Sequence, residues 1–568
     1  MIKQPMAVTI PAHKDPNYFP HSGTALAVRL LADRVNWLSV VDTILPWDQD
    51  RSRIAPSVLL LMLVINVLTH RNPLYAVETW VATLPLELLW GDGIQASQFN
   101  DDALGRVLED VADHGPQLLA TLGMRMQGVH QTLSDWLHSD TSAFSLMGDY
   151  PSATSGPTAP VELTWGHSKD HRPDLRQIMM GVTMDAEGCV LAGTMLSGNT
   201  SDQAWNADWV DQLAKDFPEN FWKNKCYIAD SAMVFPKTIA RIRSAGMHWL
   251  GRLSARFALS EELKDQAWAQ PTDSWTELGA LAEVPAVKSA TYQAQTFDVT
   301  FADAPAKAFV YHSRALDKKK EHTLQREIVR ERNEIAQLSK ALAGITFESA
   351  EDAARAATLR LQSFKGHWHT VTPIVAQREA RITRRGRPKI GAPITTRTEY
   401  LVALRITEPT SDAIQAERER RSTFILLTSQ LTLNAKAALQ EYKGQDQNEH
   451  GFRWAKSPIH LGAFWLEKPA RVAGLGYLLL LALQFARFMR AMVRSALKDQ
   501  SPLELPYRKV KRPSETVILD ALRDLDIRRQ SNETLKWYQW TAVLAYQRRI
   551  LEALKVPIDR GFVWDPSG

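Results

Sequence analysis

The chain has 568 residues, too many for one hydrophobic core, and about 150 residues per domain suggests three or four domains. With 45% hydrophobic and 23% charged residues it has the balance of a soluble globular protein, and a net charge of +4 permits a nucleic-acid partner without demanding one. Cys189 and Cys226 form no CxxC pair, which excludes a structural zinc site of the usual spacing; a disulfide between them stays open, with a reducing cytosol the simpler setting. The N-terminal residues lack the apolar run of a signal peptide. The greasiest stretch, Val472 to Ala486, carries Gly474, Gly476 and Gln484 between Arg471 and Arg487. It falls short of the roughly 20 apolar residues of a membrane span and reads as a buried core helix, so no membrane partner is expected.

In chain order, residues 1–20 are Pro-rich and polar and read as a loose arm. Helical patterns follow at Thr24–Leu38, Pro56–Thr69 and Asn100–His114, the last opened by Asn-Asp-Asp and closed by Gly115-Pro116. We read 1–130 as an all-α domain. From 131 to 253 the texture is mixed α/β. Strands are expected at Asp135–Phe144, Gln177–Met184, Cys189–Leu196, Lys225–Ala229 and Met247–Leu253, with helices at Asp202–Phe217 and Phe235–Ala245. Residues 254–430 offer strands at Thr291–Phe301, Ala308–His312, Glu399–Ile406 and Ser422–Thr428. Two helices among them, Leu316–Leu342 and Ser349–Phe364, suggest a projecting hairpin; the first is highly charged and reads most simply as a solvated helix. Residues 431–495 hold one long helix over Ala437–Lys456 and the apolar helix 472–494. The basic region 496–568 reads as helical, at Glu515–Leu525 and Thr534–Leu554.

Three acidic positions stand out. Asp140 lies in the strand segment HSDTSAFSL, where an acid is costly unless paired or bound to metal; a strand-end turn cap is the plainer alternative. Asp230 directly follows the strand KCYIA, at the end where open α/β sheets place ligands, or else caps the next helix. In EYKGQDQNEHGFRWAKSP, Tyr442, Gln445, Glu449, Arg453 and Lys456 are spaced 3, 4, 4 and 3 apart, one polar face of a helix. A solvated face with a Glu449–Arg453 pair is the alternative.

Together these segments resemble the DDE transposases of bacterial insertion sequences, in the branch with a Tyr-Arg-Glu-Lys signature. Tyr442, Glu449 and Lys456 stand at the signature's spacing, and Gln445 replaces its Arg. DTSAFSLMGDY, GHSKDHRPDLRQIMMGV, GTMLSGNTSD, YIADSAM, FRWAKSPIHLGAFWLEKPARV and FNDDALGRVLEDV also resemble family segments, so the likeness runs from about 100 to 490. It implies a multidomain protein: a helical N-terminal domain as candidate binder of DNA ends, and an α/β ribonuclease H-like core split over 131–253 and 431–495. The core would be interrupted by a β-rich insertion domain with a helical hairpin (254–430) and followed by the helical C-terminal region. It also implies catalysis by Asp140, Asp230 and Glu449 holding two Mg²⁺ ions, with Mn²⁺ a substitute, Asp140 bridging both. Two hard cations about 3.5–4 Å apart activate the attacking oxygen and neutralise the leaving one. Tyr442, Gln445, Arg453 and Lys456 would contact DNA, with Arg453 compensating for the missing signature Arg. The implied partners are double-stranded DNA, as transposon ends and target, and a second copy of the chain in the DNA complex, in the bacterial cytoplasm at the nucleoid. Two other functions remain: a catalytically silent DNA-binding descendant, or a nuclease without strand transfer.

Arg385 and Arg387 in RITRRGRPKIG resemble an AT-hook core entering a minor groove, with a basic surface loop the equal alternative. His167 and His171 have i,i+4 spacing but no evident third ligand, and Pro173 argues against a long helix there. Trp454 and Trp465 near the glutamate read as core packing before base stacking.

Overall fold

The computed structural model describes residues 15–558 except 51, 131–133, 147–160, 169–171, 282–288, 383–394, 458–465, 467 and 532–535, and also 562–563. The chain divides into two compact units: residues 1–254, 299–306 and 427–568 form the first, and 255–298 with 307–426 the second.

In the first unit the N-terminal helices Gly23–Arg34, Trp37–Ile44 and Pro56–Leu68 lead to a 30-residue helix, α1 (Asp101–His130). The pattern Thr24–Leu38 is thus two helices, parted where Asn36 takes a left-handed φ of 54°. The stop expected at Gly115-Pro116 does not occur. Pro116 sits inside α1 although a mid-helix proline costs about 3 kcal/mol. The cost is offset because Leu118, Leu119 and Leu122 beyond it are fully buried. Gly115 serves another purpose: it gives room to the Tyr477 ring, which a Cβ there would strike.

Five strands of this unit follow: β1 (Trp136–Ser145), β2 (Gln177–Asp185), β3 (Val190–Ser197), β4 (Cys226–Ala229) and β5 (His248–Arg252). Their order in the sheet is β3-β2-β1-β4-β5. Strand β2 runs antiparallel to both β3 and β1, and β1, β4 and β5 run parallel to one another. Helix α2 (Asp202–Asp216) lies on one face, where Trp209 Nε1 donates to Thr183 Oγ1 (2.8 Å) and Tyr227 Oη to Asn206 Oδ1 (2.9 Å). Helix α3 (Pro236–Ser244) joins β4 to β5.

After residue 427 come α4 (Ala435–Lys443), α5 (Asp446–Ala455), α6 (Pro469–Ala496) and α7 (Glu515–Arg523). Helix α6 has 28 residues, long and apolar enough to cross a membrane, and is longer than its apolar stretch suggested. It is instead the buried core helix: Gln484, the polar residue in its greasy run, donates to Leu119 O and Val190 O (both 3.0 Å), tying α6 to α1 and β3. Both cysteines are free and buried. The C-terminal region is not wholly helical. Ile527–Ser531 and Lys536–Trp540 pair antiparallel, and the two-residue spacing of Tyr538 and Trp540 in KWYQW puts both on one strand face, in the core. Only Ala545–Ala553 of the expected second helix forms. The supposed loose arm contributes Tyr18–Phe19, which pairs with Ile527 and Arg528.

In the second unit the charged helix spans Arg314–Ala343 and the next Ala350–Leu361. They do not make a free-standing hairpin: both pack on the long strand Thr396–Thr407, around Leu342, Ala353, Ala357 and Val402. That strand pairs with Thr370–Arg381, which the sequence hid behind Pro373; proline is accepted there because the strand is an edge.

Candidate active site

Strand register builds the site. In the parallel ladder of β1 and β4, Leu137 faces Tyr227 and His138 faces Ile228. Two residues further on, the same register sets Asp140 beside Asp230. In the ladder of β4 and β5, Ala229 faces Gly251, so one step further Asp230 stands beside Arg252. Asp230 and Arg252 thus stand at the C-terminal ends of β4 and β5, the edge at which open α/β sheets hold ligands, and Asp140 completes the row from the middle of the longer β1, just past its parallel pairing with β4. Sequence reading missed Arg252, whose signal was its place at the end of the strand HWLGR. Backbone amides hold both acids: Thr141 N donates to Asp140 Oδ1 (2.7 Å) and Ala232 N to Asp230 Oδ1 (2.9 Å).

Tyr442 belongs to this site. Burial pushes its phenol up to about 12; Arg252 opposes the shift, and Asp230 and Asp140 reinforce it. The phenol therefore stands within electrostatic reach of all three members of the row.

Helix α5 runs along the same face of β1. His138, Asp140 and Phe144 share that face by their even spacing. At one end of α5 the buried Asn448 donates Nδ2–H to the His138 carbonyl (3.0 Å). Past its other end the Lys456 ammonium lies 5.5 Å from the Phe144 ring centroid, a cation–π contact. Asp140 lies on β1 between these two anchors.

The continuous polar helix over Ala437–Lys456 is not formed. It breaks into α4 and α5 at Gly444-Gln445, where Gln447 N bonds to Gly444 O (3.0 Å) and Asn448 N to Gln445 O (2.9 Å). Such i→i+3 bonds tighten the turn and advance the following residues around the axis. The cause is His138, whose ring is fully buried; a Cβ on Gly444 would lie 2.8 Å from its Cε1. With Asn448 turned to β1, Glu449 is exposed. Among the described residues no group of three or more His, Cys, Asp or Glu is placed to hold a metal ion. The two register-paired aspartates offer the hard oxygen donors that suit a divalent cation, and Glu449 does not complete the group in this arrangement.

Three buried polar atoms at the α5–β1 contact lack a hydrogen-bond partner among the described residues: His138 Nδ1 and Nε2, and Asn448 Oδ1. Desolvation pushes the His138 imidazole down to about 4. Gln445 is half-buried at the joint, whereas Arg453 is exposed and lines a separate pocket with other arginines. Trp454 is buried, in keeping with core packing, and His167 is exposed. Arg385, Arg387, His171 and Trp465 lie outside the described residues.

A paired-aspartate edge on a mixed sheet is a setting for phosphoryl chemistry, and the sequence matches agree. The profile of the transposase DDE domain family matches residues 153–485, more than half of the chain, beginning after Asp140 and including Asp230 and Glu449. The chain belongs to this family of DDE-type transposases. A domain of unknown function, DUF4277, matches residues 26–122. Among curated proteins no sequence matches. The cryo-EM structure of a piggyBac transposase synaptic complex with hairpin DNA aligns over 88% of this chain and 79% of that one, at 9% identity and a TM-score of 0.36. That likeness is too slight to argue from.

Proposed function

We propose that the chain is the transposase of a bacterial insertion sequence, of the Tyr-Arg-Glu-Lys branch, binding the element's terminal repeats and cutting and joining DNA on a ribonuclease H-like core. The observation that carries this reading is the row Asp140–Asp230–Arg252 across three adjacent parallel strands in a chain of the DDE family. Asp140 and Asp230 hold divalent cations, Mg²⁺ or Mn²⁺, and Glu449 joins them when α5 turns about the Gly444-Gln445 joint. The unsatisfied atoms of His138 and Asn448 support such a shift, since buried polar atoms are otherwise paired. When bound, the cations activate the attacking oxygen and neutralise charge on the leaving one. Arg252 supplies the fixed positive charge that Gln445 does not, Tyr442 donates a hydrogen bond, and Lys456 offers a point charge to a neighbouring phosphate. The DNA complex contains two or more copies of the chain, acting in the bacterial cytoplasm at the nucleoid.

The test is purified protein with Mg²⁺ or Mn²⁺ and a duplex carrying the element's terminal repeats. Cleavage at the repeat ends and joining to target DNA are the expected products. Binding without cleavage in either metal overturns the reading in favour of a silent DNA-binding descendant, the alternative that the exposure of Glu449 favours. Cleavage without joining identifies a nuclease.

A further inference from the structure

A pocket of ≈ 540 Å³ opens among α5, α6, α7 and the segment after the helix Pro56–Leu68. Six arginines line it: Arg71, Arg453, Arg487, Arg490, Arg494 and Arg523. Only two carboxylates, Glu515 and Asp520, are among its lining residues. Glu515 is shared between Arg487 (3.6 Å) and Arg490 (3.3 Å), and Asp520 pairs with Arg523 (2.6 Å). Arg487 is 0% exposed and Arg490 4%, so both charges have been taken out of water. Yet Nε and Nη2 of Arg487 and Nε of Arg490 have no hydrogen-bond partner among the described residues.

A buried guanidinium with unused donors is costly, and one glutamate cannot neutralise two of them while satisfying their forks. Crowding shows elsewhere in the pocket. Burial, reinforced by Arg523, pushes Arg71 down to about 10, and burial with Arg490 and Arg512 does the same to Arg494. Arg71 also holds a left-handed φ of 58°, uncommon outside glycine. An arrangement needed only to join α6 to α7 would balance its charges. This one is short of anionic oxygens, and a tetrahedral phosphate supplies several that match the guanidinium fork.

We infer that this pocket binds a backbone phosphate of DNA, as an anchor separate from the carboxylate row. The choice of DNA over free phosphate rests on the transposase reading above; the phosphate chemistry does not.

The experiment uses the full chain with Arg71→Gln, Arg494→Gln and the double variant, each beside its lysine counterpart. Binding to a terminal-repeat duplex is measured across salt concentrations. Each glutamine variant is expected to weaken binding about tenfold at ~150 mM salt, and the double variant to lower the salt slope by about one, since one neutralised phosphate contributes about 0.9. The lysine variants recover most of the affinity. Folded glutamine variants with the parent's affinity and slope overturn the proposal. Arginine-directed labelling of the parent gives a readout independent of variant folding: duplex DNA is expected to protect Arg71 and Arg453, and equal labelling with and without DNA overturns the proposal. Inorganic phosphate separates the sources: protection by phosphate but not by duplex DNA assigns the pocket to a free anion and overturns the DNA assignment. A parent that cleaves DNA while the pocket variants bind normally defeats the pocket alone. Pocket-dependent binding by a parent that never cleaves defeats the transposase reading alone.

Discussion

Asp140→Asn should remove cleavage and, at the same time, raise the stability of the metal-free protein. Neighbouring parallel strands lie about 4.8 Å apart, so the register that pairs Asp140 with Asp230 puts two like charges roughly 5 Å from each other. At an effective dielectric of about 20 their repulsion is about 3 kcal/mol. Both residues are half-buried, and solvent screening leaves on the order of 1–2 kcal/mol. The asparagine keeps the Oδ1 that accepts from Thr141 N, so its shape and its local hydrogen bond survive. Relief of the repulsion should raise the metal-free melting temperature by a few degrees, at roughly 2–4 °C per kcal/mol for a domain of this size. The parent, in contrast, should gain stability from Mg²⁺ or Mn²⁺ by mass action, and the variant should gain much less. The assay is thermal melting with and without each metal, alongside cleavage and binding of a terminal-repeat duplex. End binding should persist. A variant that cleaves normally, or that metal stabilises as much as it does the parent, refutes the pairing of these two aspartates at a metal site.

Lys456→Ala should weaken end binding and strand transfer, and Gln445→Arg should be tolerated because that residue is only half-buried, at the joint between α4 and α5; gel-shift and cleavage series decide, and parent-like behaviour of Lys456→Ala removes Lys456 from the site. Replacing Arg385 and Arg387 together with Ala should reduce the salt slope of DNA binding, and an unchanged slope assigns them to a plain surface loop. For His138 the folded value of about 4 lies below the unfolded value near 6.5, so the unfolded chain takes up the proton first as pH falls. Stability present above pH 6.5 is therefore lost progressively down to about pH 4, about 2 kcal/mol of it by pH 5 at ~1.36 kcal/mol per unit. His138→Leu should narrow the gap between urea midpoints at pH 7 and pH 5; the same gap in both proteins would falsify the assignment. His70, also pushed down to about 4 by burial, adds a loss of the same sign in both.

Much of the core was legible because its signals were local. Each expected strand between 135 and 253 lies within a residue or two of an observed one, since short apolar runs bounded by turns leave little choice of element. The misreadings have tertiary causes. Gly115-Pro116 looks like a helix stop until Tyr477, over 360 residues away, is seen to need the space over Gly115. KWYQW reads as helical until Ile527–Ser531 pairs with it. Thr370–Arg381 hides a strand because a proline is disqualifying only in the middle of a sheet, and sequence does not announce an edge.

The site was legible one element at a time and illegible between elements. Asp140 and Asp230 each had a plausible local alternative as a turn or helix cap, and only the parallel register of β1 and β4 makes them neighbours. The same register adds Arg252, a residue no motif had selected. The glutamate segment shows the reverse. Its spacing is that of an uninterrupted helix, which requires a steady 100° per residue from Tyr442 to Lys456. Gly444 breaks that count because it rests against His138, and His138 stands two residues before Asp140 on the strand that carries the first aspartate. The break and the aspartate pair are therefore parts of one contact. A ring in place of a small side chain at 138 forces a glycine at 444, the glycine loosens the helix, and the loosened turn presents Asn448 to β1 and Glu449 to solvent. The side chain against which the Gly444 turn rests is thus seated on the strand of Asp140 itself, so on the proposed reading the motion that brings Glu449 to the aspartates moves α5 over His138.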